Sequence, residues 1–145
     1  MRPSPGLVLV GVQFACIAVL LATGPWVASP WIPLALELAG GLLAAWAIAA
    51  IGPRNVRATP EPDPKTGLVM RGPYRILRHP MYTSLLLVTL ALLLTHATPL
   101  RLGAATLLLL DLLIKLRYEE RLLAGRFPEY ADYRARTWGL LPFVY

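Results

Sequence analysis

Only one cysteine and two histidines occur in this sequence of 145 residues. Cys16 has no partner for an internal disulfide, and with His79 and His96 it cannot assemble a Cys/His zinc cluster. It lies inside an apolar run and reads as a small buried apolar residue. Charge is scarce too. Asp, Glu, Lys and Arg make up 15% of the chain, against 57% apolar residues, where a soluble domain carries about 25% charged and roughly 45–50% apolar. That deficit, concentrated in long uncharged stretches, excludes a disordered chain, a secreted disulfide scaffold and a DNA-binding domain. No internal repeat is present.

What the chain has instead is uncharged length. Gly6 to Val27 carries no charge; about 22 residues at 1.5 Å each reach roughly 33 Å, enough for a hydrocarbon core of about 30 Å. Trp31 to Ile51 is a second run broken only by Glu37, and Met81 to Pro99 is a third. Leu102 to Leu116 is a fourth, interrupted by Asp111 and Lys115, whose helix is expected to continue into water through Tyr118 to Ala124. The first run is longer than the usual apolar core of a signal peptide, so an uncleaved helix is expected. The pattern predicts an all-α polytopic membrane protein with about four transmembrane helices. The composition changes at Gly52-Pro53: residues 1–52 read as two plain spanning helices, and residues 53–145 hold most of the charge and a run of prolines. One compact unit is expected. Proline blocks helix interiors, so the middle loop should be irregular, with a helix restarting near Pro80.

The charges orient the bundle. The formal net charge is +6, with 14 basic and 8 acidic residues. Four spans place every Lys and Arg but Arg101 on one side, the side of both termini and of the Arg54–His79 loop. The positive-inside bias then makes that side cytoplasmic, in an inner or cell membrane. Membrane lipids with anionic headgroups suit this charge, and nucleic acid is not needed to explain it. Trp26 and Trp31 flank the outer turn as interfacial anchors do. All six tyrosines fall at or beyond the other end, as an aromatic belt or the lining of a pocket would.

Three clusters can carry chemistry. Gly67-Leu68-Val69 and Gly72-Pro73-Tyr74 lead into Arg78-His79-Pro80-Met81-Tyr82. Pro80 suits the first turn of a helix. His79 would then stand at a helix N-terminus whose free N–H groups can meet a polar ligand. The plainer reading is a turn and helix start, with Arg78 on a lipid phosphate. Asp111, Lys115 and Glu119 are spaced four apart and form one helix stripe. A carboxylate at Asp111's depth must face protein or a wet cavity, so the stripe should look inward. Glu119 and Glu120 also adjoin Arg117 and Arg121, as in an exposed ion-pair ladder. Phe127, Tyr130, Tyr133 and Leu140 to Phe143 form a tail expected to fold back onto the membrane. Glu37 stands alone in the second helix, as a proton or cation site, a partner of Arg101, or a snorkelling carboxylate.

Taken in order, Gly72-Pro73-Tyr74, Arg78-His79-Pro80-x-Tyr82, Glu119-Glu120-x-x-Leu123 and Phe127…Tyr130…Tyr133…Pro142 resemble the isoprenylcysteine carboxyl methyltransferase family. That family sits within a wider set of membrane methyltransferases that includes phospholipid N-methyltransferases. The match runs from Lys65 to Phe143; the first two helices match only as generic spans. The resemblance implies a cytoplasmic pocket for S-adenosyl-L-methionine, built from the middle loop and C-terminal helices. Thr66, Gly67, Leu68, Val69 and Tyr74 would line it, His79, Pro80, Met81 and Tyr82 would continue the wall, and Glu119 and Glu120 would face the cofactor. Arg78 and Lys115 would hold the substrate. Lys115 stands where better-known members have an arginine, which keeps the charge but loses the bidentate fork. A lipid-like or small hydrophobic acceptor is expected rather than a prenylated protein. Two other readings remain: an NADPH-dependent enone or sterol reductase, whose family also carries an Arg-His-Pro-x-Tyr-like segment, and a four-helix transporter using Glu37.

Overall fold

A computed structural model describes residues 5–61 and 67–142. Its helices are α1 (Pro5–Ala22), α2 (Trp31–Ile51), α3 (Pro80–Thr95), α4 (Pro99–Arg126) and α5 (Tyr130–Ala135). Two short 3₁₀ turns, Pro53–Asn55 and Gly72–Arg75, punctuate the loop between α2 and α3. No strand occurs among the described residues; one parallel bridge joins Leu77 to Trp138. The helix starts follow from local chemistry. Pro80 and Pro99 open α3 and α4, where a missing N–H costs nothing. The Thr98 hydroxyl caps α4 by accepting from Arg101 N at 3.2 Å.

α1 and α2 are long and apolar enough to cross a membrane, with mean hydropathies of 2.3 and 2.0. Only 17% of each apolar stretch is buried within the protein, so these are not the covered helices of a soluble core. Phe14, Leu38, Leu42 and Trp46 stand exposed along them. α3, with 16 residues, is shorter. α4 is one continuous helix of 28 residues, whose apolar part is interrupted by Arg101, Asp111 and Lys115. Among the described residues, two helices qualify as spans by length and composition.

α2 packs along α3, and α1 along α4. Gly40 makes the first pair possible. A Cβ there would sit 2.9 Å from the Ser84 carbonyl oxygen and 2.9 Å from Val88 Cγ2. Cys16 and Leu20 of α1 bury against Leu108 and Leu112 of α4, with Tyr82, Leu85 and Leu86 of α3 packed alongside. At the loop end, Ala47 and Ala50 of α2 enclose Tyr74. Gly72 brings that turn in, with φ +59° and space so tight that a Cβ would meet Ala50 Cβ at 2.8 Å. Arg71 Nε closes the C-terminus of α2 by donating to Ala50 O at 2.7 Å.

The opposite end removes one of the alternatives for Glu37. Glu37 and Arg101 do not pair with each other. Glu37 Oε2 accepts from the Ala28 backbone N–H at 2.6 Å and ties down the α1–α2 turn. Arg101, fully buried, donates to Leu20 O at 2.6 Å and Leu92 O at 3.1 Å. These carbonyls lie in the last turns of α1 and α3, where partial negative charge accumulates. The guanidinium therefore clasps two helix C-termini instead of a carboxylate.

An alanine at 40 should force α2 and α3 apart, at about 1–3 kcal/mol. Gly40→Ala is expected to lower the thermal midpoint in detergent by several degrees. Gly41→Ala, which meets nothing within 4 Å, should leave it unchanged or slightly raised, since alanine favours helix. Equal midpoints for the two variants would contradict this packing.

Candidate active site

Between the loop and the far end of α4 lies a cavity of about 340 Å³, within the range of small-molecule sites. One wall comes from Asn55 to Glu61 and Gly67 to Val69, a second from Tyr74, His79, Met81 and Tyr82, and a third from Glu119, Leu123, Phe127, Tyr130 and Tyr133. Of the residues expected at the cofactor or substrate, Gly67, Leu68, Val69, Tyr74, Arg78, His79, Met81, Tyr82 and Glu119 line it, and Leu123, Phe127, Tyr130 and Tyr133 of the later motifs join them. Thr66, like Lys65 and Phe143, lies outside the described residues. Pro80 and Glu120 are buried next to the wall without lining the cavity.

His79 organises the polar part. It is buried at the N-cap of α3 and sits between two carboxylates of α4. Its Nδ1 is 3.6 Å from Glu119 Oε2, and its Nε2 is 3.4 Å from Glu120 Oε1. Its ring stacks parallel to Tyr82 at 5.3 Å, and the Tyr82 hydroxyl donates to Glu119 Oε2 at 2.9 Å. One oxygen of Glu119, Oε2, is thereby held by both rings, with the carboxylate at the cavity.

Arg78 backs this arrangement. Its Nε donates to Glu120 Oε1 at 2.7 Å, and it also donates to the carbonyls of Arg134 and Thr137. Arg134 approaches Glu120 from the surface, at 3.8 Å. Glu120 therefore joins no exposed ladder with Arg117 and Arg121. Arg78 is spent on protein groups, which leaves it little to offer a lipid phosphate or a substrate.

The tail completes the enclosure. Arg78 N donates to Trp138 O at 2.7 Å, His79 N to Gly139 O at 3.1 Å, and Trp138 N to Ile76 O at 2.9 Å. The Thr83 hydroxyl donates to Leu140 O at 2.6 Å. The expected return of Leu140 to the membrane surface is thus a return to the protein. The backbone of residues 76–79 offered unpaired groups that the tail could satisfy. The same pairing takes up the His79 N–H that a ligand would otherwise meet.

Lys115 departs further from expectation. It is fully buried but does not line the cavity. Its Nζ donates to Gln13 Oε1 at 2.5 Å and Ala58 O at 2.9 Å, tying α1 and the loop to α4. The stripe does face inward, since Asp111 is buried as well. Among the cavity-lining residues that sequence reasoning missed are Asn55, Arg57, Thr59 and Glu61. Glu61 Oε1 is buried with no hydrogen-bond partner among the described residues. A carboxylate set between Pro60 and Pro62 in a basic loop was the available signal.

The charges at the loop end shift ionisation in opposite senses. Burial alone would lower His79, but hydrogen bonding and charge from Glu119 and Glu120 outweigh it and raise the imidazole above 6.5. Burial pushes Glu120 up; His79 and Arg78 more than reverse this and hold it at about 2. Burial lifts Tyr133 to about 12 against the pull of Arg78, with Glu120 and Glu119 adding to the rise.

The exposed apolar faces of α1 and α2 suit a membrane protein, and the aromatic hollow with carboxylates at one end is its candidate site. The chain belongs to the phospholipid methyltransferase family, whose sequence profile matches residues 28–130, more than two thirds of its length. Members of that family are membrane methyltransferases that generally use S-adenosyl-L-methionine. Over 76 residues, 52% of this chain, it is 38% identical to the cobalt-zinc-cadmium resistance protein CzcN of Cupriavidus metallidurans. The aligned stretch covers 35% of that relative's own length.

The raised His79 and lowered Glu120 define a pH window. Glu120's contribution is fully present above 4.5 and fades as pH falls towards 2. His79's is fully present below 6.5 and fades as pH rises through its raised value. With only two histidines, NMR of labelled imidazoles in detergent should give His79 a titration midpoint above 6.5. Glu120→Gln should bring it down. A midpoint below 6.5 in the parent protein would contradict the ion-pair geometry.

Proposed function

We propose that this chain is a multi-pass membrane methyltransferase that uses S-adenosyl-L-methionine and methylates a lipid-like or small hydrophobic acceptor, in the manner of the isoprenylcysteine carboxyl methyltransferases. The observation that carries this reading is the cavity that gathers His79, Tyr82, Glu119 and the loop from Gly67 to Val69 around one space. Its walls suit a cationic, hydroxyl-bearing cofactor. Glu119 offers a fixed carboxylate, Tyr74 and Tyr82 offer aromatic faces that favour a cation, and the Gly67 backbone is open to close approach.

When bound, the cofactor supplies a methyl group on a positively charged sulfur, already joined to a good leaving group. The chain's own part is then alignment and exclusion of water. Glu119, braced by Tyr82 and His79, orients the donor; Leu68, Val69, Met81 and Leu123 give the space an apolar side for the acceptor. Alignment of this kind can supply about 7–11 kcal/mol of barrier lowering, and a residue that forms a covalent bond is not required.

The same proposal places α3 and the apolar part of α4 in the bilayer as further spans, giving four, with the cavity and both termini in the cytoplasm. Packing of α3 on α2 and of α4 on α1 supports this, as does the one-sided distribution of Lys and Arg. The chain then acts as one unit, with residues 1–52 supporting the catalytic part. Glu37, engaged on the α1–α2 turn, lies outside the cavity, so a transporter reading gains nothing from it.

S-Adenosylhomocysteine should raise the thermal midpoint of the purified protein in detergent, and NADPH should not. Glu119→Gln should weaken that binding by about 10-fold or more, as loss of a charge-assisted contact predicts. Incubation with methyl-labelled S-adenosylmethionine and a total lipid extract should transfer label to an organic-soluble product. Stabilisation by NADPH alone would replace methyl transfer with the reductase reading.

A further inference from the structure

Four tyrosines line the cavity: Tyr74, Tyr82, Tyr130 and Tyr133. Two of their hydroxyls are committed to the protein. Tyr82 donates to Glu119 Oε2 at 2.9 Å, and Tyr133 donates to Tyr74 O at 2.8 Å. Tyr130 differs. It is 1% exposed, its hydroxyl is buried, and that hydroxyl has no hydrogen-bond partner among the described residues. A buried phenol ordinarily finds a partner, because leaving it unpaired costs the full desolvation of a polar group.

The local packing explains why the protein itself does not supply one. Tyr130 begins α5, and its ring is fixed edge-on to Tyr133 at 5.9 Å and 61°. The carboxylate whose charge bears most on it, Glu120, is already engaged, with Oε1 facing Arg78 and His79 and Oε2 facing Arg134. Burial, and then the Glu120 charge, push the phenol's ionisation upward, partly offset by Arg78. The hydroxyl thus stays protonated and able to donate throughout the physiological range.

We propose that Tyr130 is a specificity-determining residue whose hydroxyl donates a hydrogen bond to an oxygen or nitrogen acceptor atom of the bound nucleoside cofactor. This rests on the methyl-transfer reading and extends it to a residue assigned no role above. A site with one committed donor should discriminate against ligands that lack the matching acceptor, since the donor is then left buried and unpaired.

The test compares the parent protein with Tyr130→Phe by calorimetry and thermal unfolding in detergent. The probes are S-adenosylhomocysteine and four analogues, each lacking one acceptor group: 2′-deoxy, 3′-deoxy, 7-deaza and decarboxylated. Without ligand, Tyr130→Phe should keep or raise the thermal midpoint, because it removes an unpaired polar atom. Its Kd for S-adenosylhomocysteine should be about 5- to 30-fold weaker. One analogue should bind weakly to the parent yet lose nothing further in Tyr130→Phe. Three results would overturn the proposal: a Kd within about 2-fold of the parent, a ligand-free midpoint several degrees lower, or the same loss for every analogue in both proteins. Tyr133→Phe, which breaks the bond to Tyr74 O, gives the structural comparison, with a lower ligand-free midpoint expected. If the parent binds S-adenosylhomocysteine and Tyr130→Phe binds it equally, this inference alone fails. If the parent does not bind it, the methyl-transfer reading fails, and this inference with it.

Discussion

The loop end of this bundle depends on a charge balance around one imidazole. Arg78 and His79 arrive from the loop, Glu119 and Glu120 from α4, and they meet where water is largely excluded. A buried charge is tolerated only when paired, so each pair of residues makes the other possible. The Arg78–Glu120 contact, at 2.7 Å, also draws in the carbonyls of Arg134 and Thr137. The loop, the α3 start, α4, α5 and the tail are joined through a few side chains. With that balance removed, Glu119 would lose a brace and the cavity its floor.

The two ends of the bundle solve different problems. At the turn end, Arg101 satisfies backbone carbonyls of α1 and α3, and Glu37 satisfies a backbone N–H, so charge is used to close helix ends. Between the ends, contact is apolar and close, with Gly40 setting how near α2 comes to α3. Lys115 sits within this region and links Gln13 of α1 to Ala58 of the loop. It therefore couples the first helix to one wall of the cavity. On the proposed function, a polar methyl donor and an apolar acceptor would meet where these two environments join.

Much of this was legible in the chain. Apolar runs bounded by proline mark α2, α3 and α4, because proline at a first turn is a local signal. Of the ordered motif residues, Tyr74, Arg78, His79 and Glu119 line one cavity, with Glu120 buried behind His79. What stayed hidden depends on backbone partners and on direction. A pair with Glu37 is one of the readings the sequence leaves open for Arg101; the carbonyls it meets instead have no letter in a sequence. The tail was expected on the membrane because Leu140 is apolar, yet its backbone oxygen answers the Thr83 hydroxyl. Lys115 shares a helix face with Glu119, but one turn separates them, and the lysine reaches α1 and the loop instead. Glu61 and its neighbours come to the cavity through loop geometry that periodicity does not encode. Tyr130 and Tyr133 share a face by spacing, and only their surroundings distinguish them.

The central claim is that this hollow holds the methyl donor. Ultraviolet cross-linking of methyl-labelled S-adenosylmethionine to the detergent-purified protein, followed by peptide mapping, tests it most directly. Label should fall on peptides from residues 67–82 and 119–133, and excess S-adenosylhomocysteine should abolish it. Label confined to α1 or α2, or insensitive to that competitor, would contradict the account.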